Sequence, residues 1–340
     1  MLDLRQFIIE KSKEVNIDII GFTNGEPLMD IRDYLGYRIN HGISTEFEEA
    51  DIEKRINPRL TFPDCKSIIV IGLSYNVDYA SSETDILKGR LSKSSWGLDY
   101  HGVLRARMED LVQEIKKKVD FSYKYFVDTG PLVDRELAKK AGIGYYGKNC
   151  SIINEEYGSF IFLGYILTDL DIKIREREVI DACGDCTLCI QACPTGALAE
   201  PYKLRPKRCI SYLSQTKNPI PDELLRKMGT NIYGCDTCQV VCPKNKNVKK
   251  SLHKEFIPEK TRGIVDIKEL LVMSNRQFKD KYGSMSGAWR GKNILKRNAI
   301  IALGNMKDKA NIVLLRKERE KGNEFLNPYI DWALKRLMGE

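Results

Sequence analysis

The sequence of 340 residues contains only three histidines, and it has no hydrophobic run long enough to cross a membrane. His41, His101 and His253 are scattered, so they give little support to a histidine-rich metal site or a haem site. The best apolar run, residues 68–73, has the length of a strand, whereas a membrane-spanning helix needs ~20 residues. The N-terminus lacks the basic-then-apolar layout of a signal peptide. We therefore predict a soluble, cytoplasmic protein.

Composition and length favour a folded chain of two or three domains. With 42% hydrophobic and 30% charged residues, the chain is neither wholly disordered nor collagen-like. Up to about residue 172, hydrophobic periodicity predicts an alternation of helices and strands, which is typical of an α/β or α+β domain. The elements predicted there are helices at 2–16, 100–119 and 135–141 and strands at 17–22, 67–74, 121–128 and 159–168. Three further helices, which suit one HEAT-like unit, are predicted at 294–304, 308–321 and 326–338.

The positive charge of the chain is concentrated in one segment. The formal net charge of the whole chain is +8. Residues 1–242 have 32 Lys and Arg against 36 Asp and Glu, whereas residues 243–300 have 15 against 5. Such a segment indicates a polyanion as partner, and a solvated lysine-rich surface is the alternative.

Ten cysteines are the most unusual feature of the composition. In a large intracellular chain they favour metal binding or catalysis over disulfides. A run with the spacing C-x2-C-x2-C-x3-C-P begins at Cys183, and in this ferredoxin motif the fourth cysteine binds the other cluster of a two-cluster protein. A second set of four begins at Cys209. The spacing therefore predicts two 4Fe–4S clusters, one held by Cys183, Cys186, Cys189 and Cys242 and the other by Cys193, Cys209, Cys235 and Cys238.

Zinc is the alternative ligand for these cysteines, because paired C-x2-C units also form zinc sites. Three cysteines at this spacing, closed by Cys-Pro, are unusual in a zinc site, so the pattern disfavours zinc. Cys65 and Cys150 fall outside both quartets, and we expect them to be ordinary buried thiols.

Two other motifs are weak. Residues 142–149 match G-x-G-x-x-G, but a helix is predicted before the glycines and a strand after them, the reverse of a nucleotide site. A glycine-rich loop that approaches some other ligand stays open. Residues 99–102 resemble the D-x-H-x-x-G cobalamin motif, but the glycine comes too early, which disfavours a cobalamin ligated by histidine.

Asp128 is a candidate general acid. It follows the apolar strand residues 125–127 and precedes a Thr-Gly-Pro turn. A carboxyl group at a strand end can project into a pocket, where desolvation raises its pKa and keeps it protonated for donation. The alternative is an Asx turn in which the side chain only caps the loop.

Together these features resemble the epoxyqueuosine reductase family, cobalamin-dependent iron–sulfur enzymes that complete queuosine synthesis in tRNA. The resemblance covers nearly the whole chain, and besides the cysteine array it rests on residues 128–135, 141–149, 209–217, 233–239 and 286–292. It implies an α+β chain of three domains. These are an α/β domain at 1–172, related to the cobalamin-binding fold of reductive dehalogenases, a ferredoxin-like two-cluster domain at 173–250, and a basic, helical, HEAT-like tRNA-binding region at 251–340.

The resemblance also implies site residues and partners. Asp128 matches the proposed general acid, Arg55 matches a cobalamin contact, and Ser211, Gln215 and Lys217 fall where the chain approaches the corrin. The cobalamin is expected to be base-off, without a histidine ligand. The expected partners are the anticodon stem-loop of a tRNA and an external electron donor such as a flavodoxin or ferredoxin system, with no membrane and a monomeric chain. The basic residues expected to contact tRNA phosphates are Lys244, Lys246, Lys249, Lys250, Arg290, Lys292, Lys296 and Arg297.

Two other functions stay open from the sequence. A corrinoid reductive dehalogenase that acts on a small organohalide resembles this arrangement, but such enzymes usually carry a twin-arginine export signal and need no basic segment. A non-catalytic electron carrier of the ferredoxin type would leave the long region before Cys183 without a role.

Overall fold

The computed structural model describes residues 3–79, 87–175 and 180–339. Helices and strands are both common in these residues, as the sequence predicted. The described residues form eleven strands: β1 Ile19–Asn24, β2 Ser67–Ser74, β3 Lys88–Leu91, β4 Tyr123–Phe126, β5 Tyr145–Tyr146, β6 Ile152–Ile153, β7 Ile161–Thr168, β8 Leu198–Glu200, β9 Lys203–Leu204, β10 Asn231–Tyr233 and β11 Ile264–Asp266. They also form fourteen α-helices: α1 Leu4–Glu14, α2 Arg32–Asn40, α3 Ile52–Ile56, α4 Tyr100–Lys116, α5 Asp134–Lys140, α6 Leu188–Ala192, α7 Ile210–Leu213, α8 Asp222–Lys227, α9 Thr237–Val240, α10 Ile267–Val272, α11 Asn275–Tyr282, α12 Lys292–Met306, α13 Asn311–Glu320 and α14 Asn327–Met338.

The largest sheet has four strands in the order β1-β2-β7-β4, and every neighbouring pair is antiparallel. All eight residues of β2 are buried, because both faces of the strand are covered. Ile69 and Ile71 pack in one hydrophobic core, whereas Ile68 and Val70 pack in another core on the opposite face. This double burial explains why the strand reads as a continuous apolar run rather than an alternating one.

A three-stranded sheet joins the three segments that were predicted as separate domains. Its central strand, β3, pairs in parallel with β10 and antiparallel with β11. β10 ends at Tyr233, two residues before Cys235. Backbone hydrogen bonds therefore hold the cysteine-rich segment against both the N-terminal and the C-terminal parts of the chain.

The C-terminal helices pack around α12. Every residue of this helix from Ile294 to Gly304 is buried, including the polar residues Lys296, Arg297 and Asn298. The helix packs against α14 and β10. A helix buried on all sides is normally apolar throughout, so these polar side chains require partners inside the protein.

Most predicted elements are confirmed within a few residues. The strand predicted at 121–128 is shorter, since β4 ends at Phe126. The helix predicted at 2–16 is α1, and residue 2 lies outside the described residues. Within the described ranges, none of the helices is both long and apolar enough to cross a membrane.

Candidate active site and cysteine quartets

Asp128 lies just after β4, where the chain turns away from the sheet. Its backbone φ is 55°, in the left-handed region that non-glycine residues adopt mainly at turns and functional sites. Its carboxylate accepts a hydrogen bond from the Tyr100 hydroxyl at 2.6 Å. The side chain is 66% exposed, so the burial expected from the apolar strand is not found at this residue. The carboxylate instead faces solvent, where a substrate can reach it.

Two aromatic residues at the start of α4 surround this carboxylate. The Tyr100 ring stacks on Phe162 of β7 with a centroid distance of 4.2 Å. Burial, followed by the charge of Asp128, raises the pKa of Tyr100, so the hydroxyl remains a donor. His101 Nε2 lies 3.9 Å from Asp128 Oδ2, and its Nδ1 lies 2.7 Å from Asp99 Oδ1. The sequence does not reveal that Tyr100 and His101 lie beside Asp128, because no local pattern connects them with a carboxylate so far along the chain.

Asp134 is a second carboxyl group beside Asp128, and the sequence does not single it out. It is the first residue of α5 and lies near enough to Asp128 for the two to interact electrostatically. Burial is the main cause that raises the pKa of Asp134 to about 7, and the nearby charge of Asp128 adds to it. The desolvated carboxyl group that the sequence places at Asp128 is therefore found at Asp134.

The structure brings the first cysteine quartet together. Cys183, Cys186, Cys189 and Cys242 line one cavity. The glycine-rich loop also reaches this cavity, through Lys148 and Asn149. As predicted, that loop lies between a helix, α5, and a strand, β6, which is the wrong order for a nucleotide site.

Two cysteines of the second quartet, Cys193 and Cys238, pack in one cluster with Cys189 of the first quartet. Burial is the main cause that raises the pKa of Cys209 to about 11, and the neighbouring charges of Cys235 and Cys193 add to it. Burial also raises the pKa of Cys238, followed by the charges of Cys209 and Cys235. The charge of Cys189, in the first quartet, also raises the pKa of Cys238, so the two quartets are neighbours.

The geometry of these thiols differs from that of a site for a single metal ion. In the described part of the chain, no three His, Cys, Asp or Glu side chains are close enough to hold one ion. The four thiolates around a 4Fe–4S cluster bind different iron atoms, so they need not converge on one point. Cys65 and Cys150 are free and buried, as expected.

Arg55 belongs to a group of charged residues that is largely buried. Its Nη1 donates to Glu48 Oε2 at 3.1 Å, and Arg38 Nη2 donates to Glu48 Oε1 at 2.8 Å. Burial is the main cause that lowers the pKa of Arg55, and the charges of Arg38 and Arg135 add to it. Two buried polar atoms of this region, Arg38 Nε and Ser44 Oγ, have no hydrogen-bond partner within the described ranges. Donors are therefore available here for a ligand that carries acceptor groups.

Ser211 and Gln215 lie beside Tyr233. Gln215 Nε2 donates to the Ser211 carbonyl at 2.9 Å, and the Tyr233 hydroxyl donates to Gln215 Oε1 at 3.0 Å. Burial raises the pKa of Tyr233 to about 12, and the charge of Asp128 adds to it. Lys217 is exposed and lines a different pocket.

The basic segment is divided between the surface and the interior. Arg290 and Lys292 line the same open pocket as Lys217. By contrast, Arg297 is 0% exposed, and the buried Lys296 forms an ion pair with the buried Glu318. The prediction that Lys296 and Arg297 contact phosphates is therefore wrong, because both side chains are enclosed with α12. The other four lysines expected to contact phosphates are exposed: Lys244, Lys246, Lys249 and Lys250.

Comparisons with known proteins agree with this arrangement. A family described as a 4Fe-4S double cluster binding domain matches residues 182–245, and one described as epoxyqueuosine reductase QueG, DUF1730, matches residues 55–129. The epoxyqueuosine reductase of Bacillus subtilis (strain 168) is 44% identical over 309 residues, which cover 90% of this chain and 80% of that protein. This chain belongs to the epoxyqueuosine reductase family. It is therefore an oxidoreductase that acts on epoxyqueuosine, and its matched segment binds two 4Fe–4S clusters.

Other members of the family are similar over most of their length. The epoxyqueuosine reductase of Escherichia coli (strain K12) is 35% identical over 285 residues, which cover 82% of this chain and 75% of that protein. The structure of the family member from Streptococcus thermophilus has a TM-score of 0.93 at 37% identity, covering 100% of this chain and 91% of that one. A crystal structure of an epoxyqueuosine reductase with an epoxyqueuosine-modified tRNA-Tyr stem loop has a TM-score of 0.86 at 38% identity, covering 98% of this chain and 99% of that one.

Proposed function

We propose that this chain reduces epoxyqueuosine at the wobble position of a tRNA to queuosine, with Asp128 as the proton donor. The observation that carries the assignment to Asp128 is its geometry. The carboxylate is exposed to substrate, and the Tyr100 hydroxyl holds Oδ2 at 2.6 Å. The similar structure with an epoxyqueuosine-modified stem loop supports tRNA as the carrier of the substrate.

Proton delivery explains the arrangement around Asp128. Removal of the epoxide oxygen as water takes two electrons and two protons. The Tyr100 hydrogen bond engages one oxygen of the carboxyl group and leaves the other for the departing oxygen of the substrate. The left-handed backbone conformation of Asp128 shapes the loop on which the acid lies.

We propose that the two cysteine quartets hold the clusters as their spacing predicts. When bound, the clusters supply electrons one at a time from an external donor such as a flavodoxin or ferredoxin system. The cavity lined by Cys183, Cys186, Cys189 and Cys242 fits the first cluster because four thiols reach it from two segments of the chain. The thiols of Cys209 and Cys238 are partly buried, and burial raises the pKa of both.

Cobalamin fits the region between Arg55 and Gln215. When bound base-off, it supplies the cobalt centre that passes electrons to the substrate. The unpaired Arg38 Nε and Ser44 Oγ beside Arg55 match the amide acceptors on the rim of a corrin. Arg55, Ser211 and Gln215 are our candidate contacts, and Lys217, which lines a different pocket, is the candidate that the geometry supports least.

We propose that the chain has three domains: a cobalamin and substrate domain at 1–172, a two-cluster domain at 173–250 and a HEAT-like tRNA-binding region at 251–340. The packing of α12 with both α13 and α14 supports the last of these. We further propose that the chain acts as a monomer in the cytoplasm.

Binding of tRNA is expected to weaken steeply with salt, because phosphate contacts release counterions. The exposed lysines after Cys242 provide such contacts. Replacing both Lys244 and Lys246 with glutamine is expected to reduce the slope of log K against log salt by about 1–2. Fluorescence anisotropy with a labelled tRNA at several salt concentrations measures this slope.

Lys13→Gln provides the matched control. Lys13 is an exposed residue of α1, so its replacement is expected to leave the slope unchanged. A flat salt response of the unmodified protein, or an equal change in both variants, contradicts the proposed phosphate contacts.

Mass spectrometry of tRNA nucleosides tests the function itself. Anaerobically purified protein with cobalamin and a reductant is expected to convert epoxyqueuosine to queuosine in tRNA. Iron, sulfide and cobalt are quantified in the same sample. Iron and sulfide without cobalt or turnover would indicate an electron carrier, whereas turnover of an organohalide in place of the nucleoside would indicate a dehalogenase.

A further inference from the structure

Three side chains near the candidate active site form a surface that we call the aromatic platform: the exposed Phe47 and Trp289 and the half-buried Arg290. Trp289 is 59% exposed and Phe47 is 41% exposed. The Arg290 guanidinium lies 4.5 Å from the centroid of the Trp289 ring and 5.3 Å from that of Phe47. The two aromatic rings meet edge to face at 5.9 Å. Exposed rings that touch form a contiguous apolar patch, and such patches mark binding sites more often than single exposed side chains do.

Hydrogen bonds hold the C-terminal part of the platform in place. Arg290 Nε donates to the Gln215 carbonyl at 2.6 Å. Trp289 Nε1 donates to the Tyr233 hydroxyl at 3.4 Å. Since these bonds already fix the platform, a flat ligand can stack on it with little loss of side-chain entropy.

The residue before Phe47 fixes the other part of the platform. Glu46 accepts hydrogen bonds from the Tyr212 hydroxyl at 2.8 Å and from the Thr216 hydroxyl at 2.7 Å. These bonds join the loop of Phe47 to the segment that follows Cys209. Phe47 also packs against the Tyr212 ring at a centroid distance of 5.6 Å.

The platform lies close to the candidate acid. The chain just before Trp289 reaches the start of α4, where the Asp99 N–H donates to the Ser284 carbonyl at 2.7 Å. The next residue, Tyr100 of α4, holds the carboxylate of Asp128. Arg290 also borders the open pocket that contains Lys217 and Lys292. Exposed rings, a stacked guanidinium and adjacent cations are complementary to a single-stranded nucleotide, which offers a flat base and a phosphate.

We infer that the aromatic platform stacks a base of the tRNA anticodon loop next to the target nucleoside, while Lys217 and Lys292 face its phosphate. This inference rests on the proposed function. It assigns Lys217 to the RNA rather than to the corrin. Base stacking on an aromatic side chain is largely independent of sequence, so the platform holds the loop open while the target base is directed to Asp128.

A binding cycle between protein variants and abasic RNAs tests the inference. The probe is a synthetic anticodon stem-loop, prepared intact and in versions that each lack one loop base. With the holoenzyme, Trp289→Ala is expected to weaken binding of the intact RNA about 10-fold or more. Removal of one particular base next to the target is expected to weaken binding to the unmodified protein by a similar factor. When Trp289→Ala is combined with the RNA that lacks this base, the loss of binding free energy is expected to be little larger than for either change alone, because both remove the same contact.

Control variants separate stacking from a general defect. Trp289→Phe keeps an aromatic face and is expected to restore most of the affinity. Val313→Ala replaces another apolar residue that is 59% exposed, on α13, and is expected to have no effect. Iron content and cobalamin retention of each variant are measured in parallel.

Two outcomes would overturn the inference. One is unchanged RNA affinity of Trp289→Ala, and the other is additive losses of affinity with every abasic RNA. Unchanged RNA affinity together with loss of cobalamin would show that the platform holds the cofactor instead. Failure of the unmodified protein to convert epoxyqueuosine contradicts the proposed function, and it is read from a separate nucleoside assay.

Discussion

Replacement of Asp128 with asparagine is expected to lower the rate of epoxyqueuosine reduction by ~10²–10⁴-fold, the usual contribution of a general acid. Asparagine has nearly the same shape and can still accept the Tyr100 hydrogen bond, but it cannot donate an acidic proton. Cluster content, cobalamin binding and tRNA binding are therefore expected to stay near those of the unmodified protein. Single-turnover assays with modified tRNA and a strong reductant measure the chemical step.

Asp120→Asn is the matched control for this variant. Asp120 is an exposed aspartate at the other end of β4, where it accepts a hydrogen bond from the Phe121 N–H, and asparagine can do the same. This control is expected to keep full activity. Normal turnover by Asp128→Asn would show that another group supplies the proton, and Asp134 and His101 would be the next groups to replace.

The run Cys183–Cys189 and the position of Asp128 after a strand could be predicted because they depend on short-range features. Three cysteines at fixed short intervals fit one turn of chain around a cluster, and this spacing is visible in any single sequence. Asp128 follows an apolar strand and precedes a glycine turn, which places a carboxylate at a sheet edge. The α12 helix was predicted for the same reason, from its local periodicity.

What the sequence missed depends on contacts between distant segments. No local signal shows that β3 pairs with β10 and β11, or that the carboxyl group of Asp134 at the start of α5 is desolvated. The largest error concerned Lys296 and Arg297, whose charge was interpreted as surface charge. Nearly all charged side chains are exposed, so that interpretation follows the general tendency. The apolar residues on every side of α12 were the signal that could have corrected it.

Arg297 has a structural function that follows from its burial. Its Nη1 donates to the Thr216 carbonyl at 2.5 Å, and its Nη2 donates to the Leu213 carbonyl at 2.6 Å. The adjacent Asn298 donates to the carbonyls of Ser214 and Ile232 at 2.8 and 2.7 Å. Together these two residues of α12 connect the turn after Cys209 with the strand before Cys235. They therefore position two of the thiols in the second quartet.

Replacement of Arg297 with methionine is expected to destabilise the protein by about 2–6 kcal/mol, because each of two buried carbonyls left unpaired costs about 1–3 kcal/mol. We expect the melting temperature of the holoenzyme to fall by about 5 °C or more. The purified variant is also expected to lose about half of its iron, since the second quartet depends on the turn that Arg297 holds. Thermal unfolding followed by circular dichroism, together with iron analysis, measures both effects.

Two further variants show whether the geometry of the guanidinium is responsible. Arg297→Lys keeps the positive charge but has a single ammonium group, which cannot reach both carbonyls in the fixed directions of a guanidinium, so it is expected to restore stability only in part. Arg316→Met removes an exposed arginine of α13 and is expected to change neither the melting temperature nor the iron content. Equal iron content in Arg297→Met and Arg316→Met would show that the second cluster does not depend on α12. Unequal iron content would show that the cluster geometry is set by a helix outside the ferredoxin-like segment, because no cysteine lies in α12.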